Sequence, residues 1–225
     1  MIISHVQQGS DEWYAERAGK VTASCFDKII TSAGAQTASA TRATYLYQLA
    51  GERITGNVEQ SFTTPWMDRG KELEEEARLY FEQQQGLFVQ QIGMIYQDEA
   101  REVSCSPDGF IPETNEGLEI KCPKLSTHVG YLDKGQLPTA YKQQVQGSMM
   151  VSGLQAWWFM SYYPGMPPLV IKVARDDGYI ATLLSAVRHF NHQVNALVER
   201  LKEKDVEPKQ HPQGHNKEDQ YEAYF

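Results

Sequence analysis

Residues 117–123, Gly-Leu-Glu-Ile-Lys-Cys-Pro, alternate apolar and charged side chains with a period of two. Only an extended strand sorts such a pattern onto two faces. Glu119 and Lys121 then share one face, and Leu118 and Ile120 share the other. Upstream, Cys105-Ser106-Pro107-Asp108-Gly109 reads as a strand that ends near Asp108 and turns through Gly109–Glu116. A hairpin built this way brings Asp108 beside Glu119. Two carboxylates and one ammonium then converge on one spot.

Around this hairpin the periodicity changes. Thr22-Ala23-Ser24 offers hydroxyl caps to a short helix through Ile30, and Tyr45–Ile54 is helical up to Gly56. Residues 66–85 carry Leu73, Ala77, Tyr80 and Phe81 at helical spacing, with Gly86 as a stop. Strands are expected at Leu87–Val89, Gly93–Gln97, Glu102–Ser106 and Gly117–Lys121. A helix over Thr139–Val151, strands over Ala156–Tyr162 and Leu169–Ala174, and a long helix over Asp176–Lys204 complete the series. Helices before and after a run of short strands imply an α/β fold, a central mixed β-sheet flanked by helices. Thr31–Thr44, rich in Ala, Ser and Thr, is expected to be a surface loop. Residues 1–204 read as one domain and 205–225 as a polar tail, whose aromatic end, Tyr221–Phe225, suits docking on a neighbouring subunit.

Composition narrows the classes. A chain of 225 residues that is 41% apolar can bury a sizeable core. No stretch nears the roughly 18 apolar residues of a membrane span, and residues 1–10 lack the pattern of a signal peptide, so a cytoplasmic protein is expected. Three cysteines without a CxxC pair support neither a disulfide framework nor a zinc knuckle. A net charge of −8 speaks against a general basic coat for nucleic acid, but not against a local basic channel.

Asp108, Glu119 and Lys121 suit phosphodiester hydrolysis. Hard carboxylate oxygens hold Mg²⁺, which polarises a phosphoryl oxygen and lowers the pKa of an attacking water. A nearby lysine orients that water and stabilises developing charge. The plain alternative is a turn aspartate with a surface Glu/Lys pair. Arg17, in Ala15-Glu16-Arg17-Ala18-Gly19-Lys20 ahead of a hydroxyl-rich helix start, suits a terminal phosphate, since a guanidinium grips it with two hydrogen bonds. On the residues alone a surface ion pair serves Arg17 as well, and capping serves Ser24. Tyr141, Gln144, Val145 and Ser148 share one helix face, where Gln144 suits the edge of a metal site and Tyr141 suits packing. Trp66 and Met67 fit an apolar wedge or a buried helix start. His5, His128, His189, His192, His211 and His215 show no ligand spacing that converges on the carboxylates.

Aspartate, ten intervening residues, then Glu-x-Lys is the pattern of the PD-(D/E)xK nuclease superfamily. With its flanking blocks the sequence resembles the phage lambda exonuclease family, viral recombination nucleases. Those blocks are Gln7–Ser24, Gly70–Glu82, CSPDG, GLEIKCP and Ala140–Val151, in the family's order. The resemblance implies a restriction-endonuclease-like core and a Mg²⁺-dependent 5′→3′ exonuclease. Such an enzyme degrades one strand of linear double-stranded DNA to mononucleotides and leaves 3′ single-stranded overhangs for single-strand-annealing recombination. Asp108, Glu119 and the backbone carbonyl of Ile120 would bind metal, two Mg²⁺ ions with Mn²⁺ as a substitute. Lys121 would be the catalytic lysine, and Glu74 a carboxylate that completes the site. Arg17, Ser24, Ser106 and Gln144 would surround the 5′-phosphate. A homotrimeric ring and a single-strand annealing protein are the implied partners, and Lys20, Arg42, Lys124, Lys134 and Lys142 are candidates for the ring's channel. A restriction-type endonuclease, or a non-catalytic DNA-binding recombination protein, remains the alternative.

Overall fold

The computed structural model describes residues 1–58 and 65–204, with the backbone alone at 65–68 and 71. In chain order the described elements are β1 (Ile2–Ser4), α1 (Asp11–Arg17), β2 (Val21–Thr22), a 3₁₀ segment (Ala23–Lys28), α2 (Ala40–Thr55), α3 (Pro65–Gln85), β3 (Met94–Tyr96), β4 (Val103–Cys105), β5 (Gly109–Ile111) and β6 (Glu116–Lys121). Then follow α4 (Leu125–Lys134), a 3₁₀ turn (Thr139–Tyr141), α5 (Lys142–Ser152), β7 (Ala156–Ser161), β8 (Leu169–Ala174) and α6 (Asp177–Lys202). The class is mixed α/β, and the strands divide between two four-stranded sheets, β1-β3-β4-β2 and β5-β6-β7-β8. Each sheet joins antiparallel pairs to one parallel pair, β2 with β4 and β6 with β7. The parallel β6–β7 pair needs a long crossover, which α4 and α5 supply.

α5 organises the core. It contacts β3 and β4 of one sheet, β6 and β7 of the other, and α6. Gln143 and every residue from Val145 to Ser152 are buried, so this helix is enclosed on all sides rather than amphipathic. Its buried amides reach across to neighbouring backbone: Gln143 Nε2 donates to the Ile30 carbonyl at 3.2 Å, and Gln146 Nε2 donates to the Ala174 carbonyl at 2.9 Å. Gly147 allows the 3₁₀ segment to close on α5, because an added Cβ would stand 2.4 Å from Phe26 Cδ2. A second apolar cluster unites Ala77 and Phe81 of α3 with Leu118 and Ile120 of β6. That cluster uses the apolar face expected of β6.

Three local expectations need correction. Leu87–Val89 forms no strand, since the Val89 N–H is taken by Glu82 Oε1 at 2.7 Å and only Gln90 bridges to Phe110. The loop from Thr31 ends before Thr44, because Ser39 Oγ accepts from the Arg42 N–H at 3.2 Å and starts α2 at Ala40. The turn after Asp108 is also shorter than expected. β5 leaves directly from Gly109, and the reversal narrows to residues 112–115, with Asn115 in the left-handed region at φ 56°. Tyr221–Phe225 and the rest of 205–225 lie outside the described residues, as do the side chains of Trp66 and Met67.

Gly147→Ala should destabilise the fold by about 1–3 kcal/mol, the usual cost of overpacking a filled core. Gly51→Ala, where an added Cβ on α2 meets nothing within 4 Å, should stabilise it instead. Urea titration of both variants checks the pair, and a neutral Gly147→Ala would contradict the packing described.

Candidate active site

The Pro107-Asp108 segment is fixed from three directions. Gln8 Nε2 donates to the Pro107 carbonyl at 2.8 Å and to the Ile92 carbonyl at 2.9 Å. The Asp108 N–H donates to the Leu118 carbonyl at 3.0 Å. Asp108 Oδ2 in turn accepts from the Ile120 N–H at 2.6 Å. Gly109 must follow, since an added Cβ would lie 2.2 Å from Val89 Cγ1. Asp108 therefore stands against the end of β6 that bears Glu119 and Lys121, as the hairpin reading requires.

Glu119 is 1% exposed. Its Oε1 accepts from Gln144 Nε2 at 2.5 Å and pairs with the Lys121 ammonium. Lys121 Nζ also stands 5.5 Å from the Tyr141 ring centroid, so Tyr141 packs beneath the ammonium as well as against Phe159. Burial pushes the Glu119 carboxyl up to about 8, with Lys121 opposing and Asp108 adding to the rise. Burial likewise raises Asp108, against the pull of Lys121, the Ile120 N–H and Arg78. Lys121 shifts upward too: burial disfavours its charge, but the two carboxylates outweigh burial. One ammonium thus answers two desolvated acids, Glu119 buried and Asp108 half-buried.

Glu74 stands on α3 within 3.8 Å of Arg78, and its charge acts on both Glu119 and Cys122. Among the described residues no three Asp, Glu, His or Cys side chains converge closely enough to enclose an ion. The donor set still suits a divalent cation. Asp108 and Glu119 supply hard oxygens whose charged forms lack full compensation. The N–H and C=O of one strand residue leave the same edge, so the Ile120 carbonyl opens toward Asp108 while the Lys121 carbonyl accepts from Tyr162 on the β7 side. Two carboxylates, one carbonyl and waters match the habits of Mg²⁺, which keeps part of its hydration.

A second group gathers around Arg17. Arg17 Nη2 donates to Ser24 Oγ at 3.0 Å and to Thr22 Oγ1 at 3.1 Å, and its guanidinium stands 5.2 Å from the Trp13 ring centroid. Thr22 pairs with Ser104 in the parallel β2–β4 register. Ser104 Oγ and Ser106 Oγ are both buried without a hydrogen-bond partner. A guanidinium held among the Thr22 and Ser24 hydroxyls, with Ser104 across the register on the neighbouring strand, fits an oxyanion that is held there at another stage. Ser106 stands two residues before Asp108 in the chain. Of the four residues expected around the phosphate, Arg17 and Ser24 touch, Ser106 follows the end of β4 without a shown contact to them, and Gln144 sits on Glu119.

Ser104 and Gln8 carry no functional reading in the sequence, and Thr22 reads there only as a helix cap. Thr22 and Ser104 had one usable signal, the Thr/Ser spacing of two that puts hydroxyls on one strand face. His128 is buried between Ser161 Oγ at 2.8 Å and the Pro167 carbonyl at 3.0 Å, a core role, while His5, His189 and His192 are exposed and His211 and His215 lie outside the described residues. Of the basic candidates, Arg42 donates to Gln193 at 2.5 Å and Lys142 pairs with Asp176 at 3.8 Å. Among the described residues no helix is long and apolar enough to cross a membrane.

The YqaJ-like viral recombinase domain matches residues 12–155, a span that contains both groups. The structure is similar to an alkaline exonuclease, LHK-Exo, from Laribacter hongkongensis, at 33% identity and a TM-score of 0.78 over 87% of this chain and 97% of that one. The same figures hold for LHK-Exo in complex with dAMP. A phage-related exonuclease from Haemophilus somnus 129PT shares the fold at 17% identity and a TM-score of 0.63, over 81% of this chain and 96% of that one. No curated protein matches the sequence. A domain match across most of the chain and a one-third-identical relative spanned almost end to end place this protein in the YqaJ-like, lambda-exonuclease-like viral recombinase family.

Proposed function

We propose that this chain is a Mg²⁺-dependent nuclease of viral recombination that digests linear double-stranded DNA 5′→3′, releases mononucleotides and leaves 3′ single-stranded overhangs. The observation that carries this reading is the acid–lysine cluster of Asp108, Glu119 and Lys121, suited to phosphodiester hydrolysis, with the Arg17–hydroxyl group as a second site suited to a phosphate. The family supports a nuclease acting in recombination. Polarity and the terminal phosphate are inferred from the pocket. The Laribacter relative's complex with dAMP, a nucleoside monophosphate, is in keeping with mononucleotide release.

The division of labour follows from the chemistry. Asp108, Glu119 and the Ile120 carbonyl would hold the cation, with Glu74 reaching the site from α3. When bound, Mg²⁺, or Mn²⁺ in its place, polarises the scissile phosphate and makes a neighbouring water more acidic. Gln144 holds Glu119 in one orientation without adding charge. Lys121 stays protonated between the two carboxylates and donates toward the reacting water or the developing oxyanion. Arg17, with the hydroxyls of Ser24 and Ser106, would bind the 5′-phosphate and seat the end of the strand. A homotrimeric ring and a single-strand annealing partner belong to the same proposal, on the family's authority.

A gel assay tests the function directly. Linear duplex with a 5′-phosphate should be digested fastest, 5′-hydroxyl duplex more slowly, and a closed circle not at all, each only with Mg²⁺ and not with EDTA. Nicking of the circle would favour a restriction-type endonuclease, and no digestion of any substrate a non-catalytic DNA-binding protein. Lys121→Ala should lower the rate by about 10²–10³, the usual loss for one preorganised electrostatic group, yet still bind Mg²⁺ by calorimetry. Loss of metal binding in that variant would contradict the separation of roles.

A further inference from the structure

Arg17 reaches Thr22 and Ser24 because the chain doubles back at Gly19, and two consecutive residues of α2 grip that turn. The Gly19 N–H donates to Glu52 Oε2 at 2.8 Å, and the Gly19 carbonyl accepts from Arg53 Nε at 2.7 Å. Gly19 sits at φ +68°, and an added Cβ would stand 2.5 Å from Arg53 Cγ, so the turn rests directly on the arginine stem. Arg53 is anchored in its turn. Its Nη2 donates to Asn191 Oδ1 at 2.7 Å and its Nη1 to Asn195 Oδ1, both on α6. Those asparagines donate to Glu102 at 2.6 Å and 3.2 Å, and the Glu102 carbonyl accepts from the Val21 N–H at 2.9 Å. The circuit therefore closes on the chain just beyond the turn it began with.

Burying a carboxylate and a guanidinium costs desolvation that apolar packing would avoid. Glu52 is only 6% exposed, and Gln48 donates to its second oxygen at 2.8 Å. What the polar circuit adds over apolar contact is direction: it fixes both peptide groups of one glycine. The segment so fixed runs from Arg17 to Thr22, the two residues whose side chains meet.

We propose that Glu52 and Arg53 are positioning residues that hold the Gly19 turn so that the Arg17 guanidinium faces a terminal phosphate, and that they thereby set the preference for 5′-phosphorylated ends. This rests on the phosphate reading of the Arg17 pocket and extends it to residues that touch no substrate. Misplacing a binding group by an ångström costs about a hundredfold. Glu52→Ala and Arg53→Ala should therefore narrow the rate ratio between 5′-phosphorylated and 5′-hydroxyl duplex by about 10- to 100-fold, the loss falling on the phosphorylated substrate. Glu52→Gln keeps an acceptor for the Gly19 N–H and should retain most of the parent's ratio.

Rates on both substrates, measured alongside melting temperature, decide the matter. Should Arg53→Ala fail to fold, Arg53→Lys, which keeps charge and stem but lacks the fork, carries the same expectation. Folded variants with the parent's ratio, or with both substrates slowed alike, would overturn the positioning role. A parent indifferent to the 5′-phosphate would overturn the pocket as well, so the two failures are distinguishable.

Discussion

Desolvation of two carboxylates, Glu119 buried and Asp108 half-buried, beside a single ammonium is the constraint around which this molecule is organised. Asp108 and Glu119 both resist ionisation in the fold, and Lys121 answers only one charge. Such an arrangement survives only where the backbone is held rigidly around it. Gln8 ties down Pro107, Asp108 spans to the Ile120 N–H, and α5 brings Gln144 onto Glu119 from the middle of the core. The close fit of Gly147 against Phe26 keeps α5 at that depth, and the Ala77–Phe81 stretch of α3 covers the opposite face of β6. Local strain in the charge balance is thus offset by packing that reaches both sheets.

The same geometry reconciles an acidic chain with a polyanionic substrate. A net charge of −8 disfavours nonspecific attraction, but cleavage depends on local chemistry. In the proposed function, metal at the acidic cluster and Arg17 among hydroxyls make the contacts to phosphate. Ser104 Oγ and Ser106 Oγ are buried and unpaired, and in that proposal they leave hydroxyls free for a ligand oxygen.

What the sequence revealed depended on whether a signal was local. β8 falls on Leu169–Ala174 as expected and α6 within two residues at each end, because long runs carry their own periodicity. α1, α4, β1, β2 and β5 went unread, most of them too short for periodicity to register and the two-residue β2 defined only by its partner. Asp108, Glu119 and Lys121 were legible from alternation and a bracketing turn. Glu74 and Arg17 needed the family resemblance, since an acidic helix run and a lone arginine have ordinary explanations. Gln8, Glu52 and Arg53 were invisible because their partners lie far away in the chain: Gln8 meets Pro107, and Arg53 meets Asn191.

Proton-coupled metal binding probes the buried acid pair most directly. A cation binds the deprotonated ligands, so it must displace the proton that burial keeps on Glu119 below about pH 8. Because that pKa is raised, the bound proton is present at neutral pH and is lost as pH climbs through about 8. Mg²⁺ titrated by calorimetry in buffers of different ionisation enthalpy should therefore release close to one proton at about pH 7, bind more tightly as pH rises, and release few protons above about pH 9. Tight Mg²⁺ binding with no proton release and no pH dependence across that range would contradict a cation held by the buried Asp108–Glu119 pair.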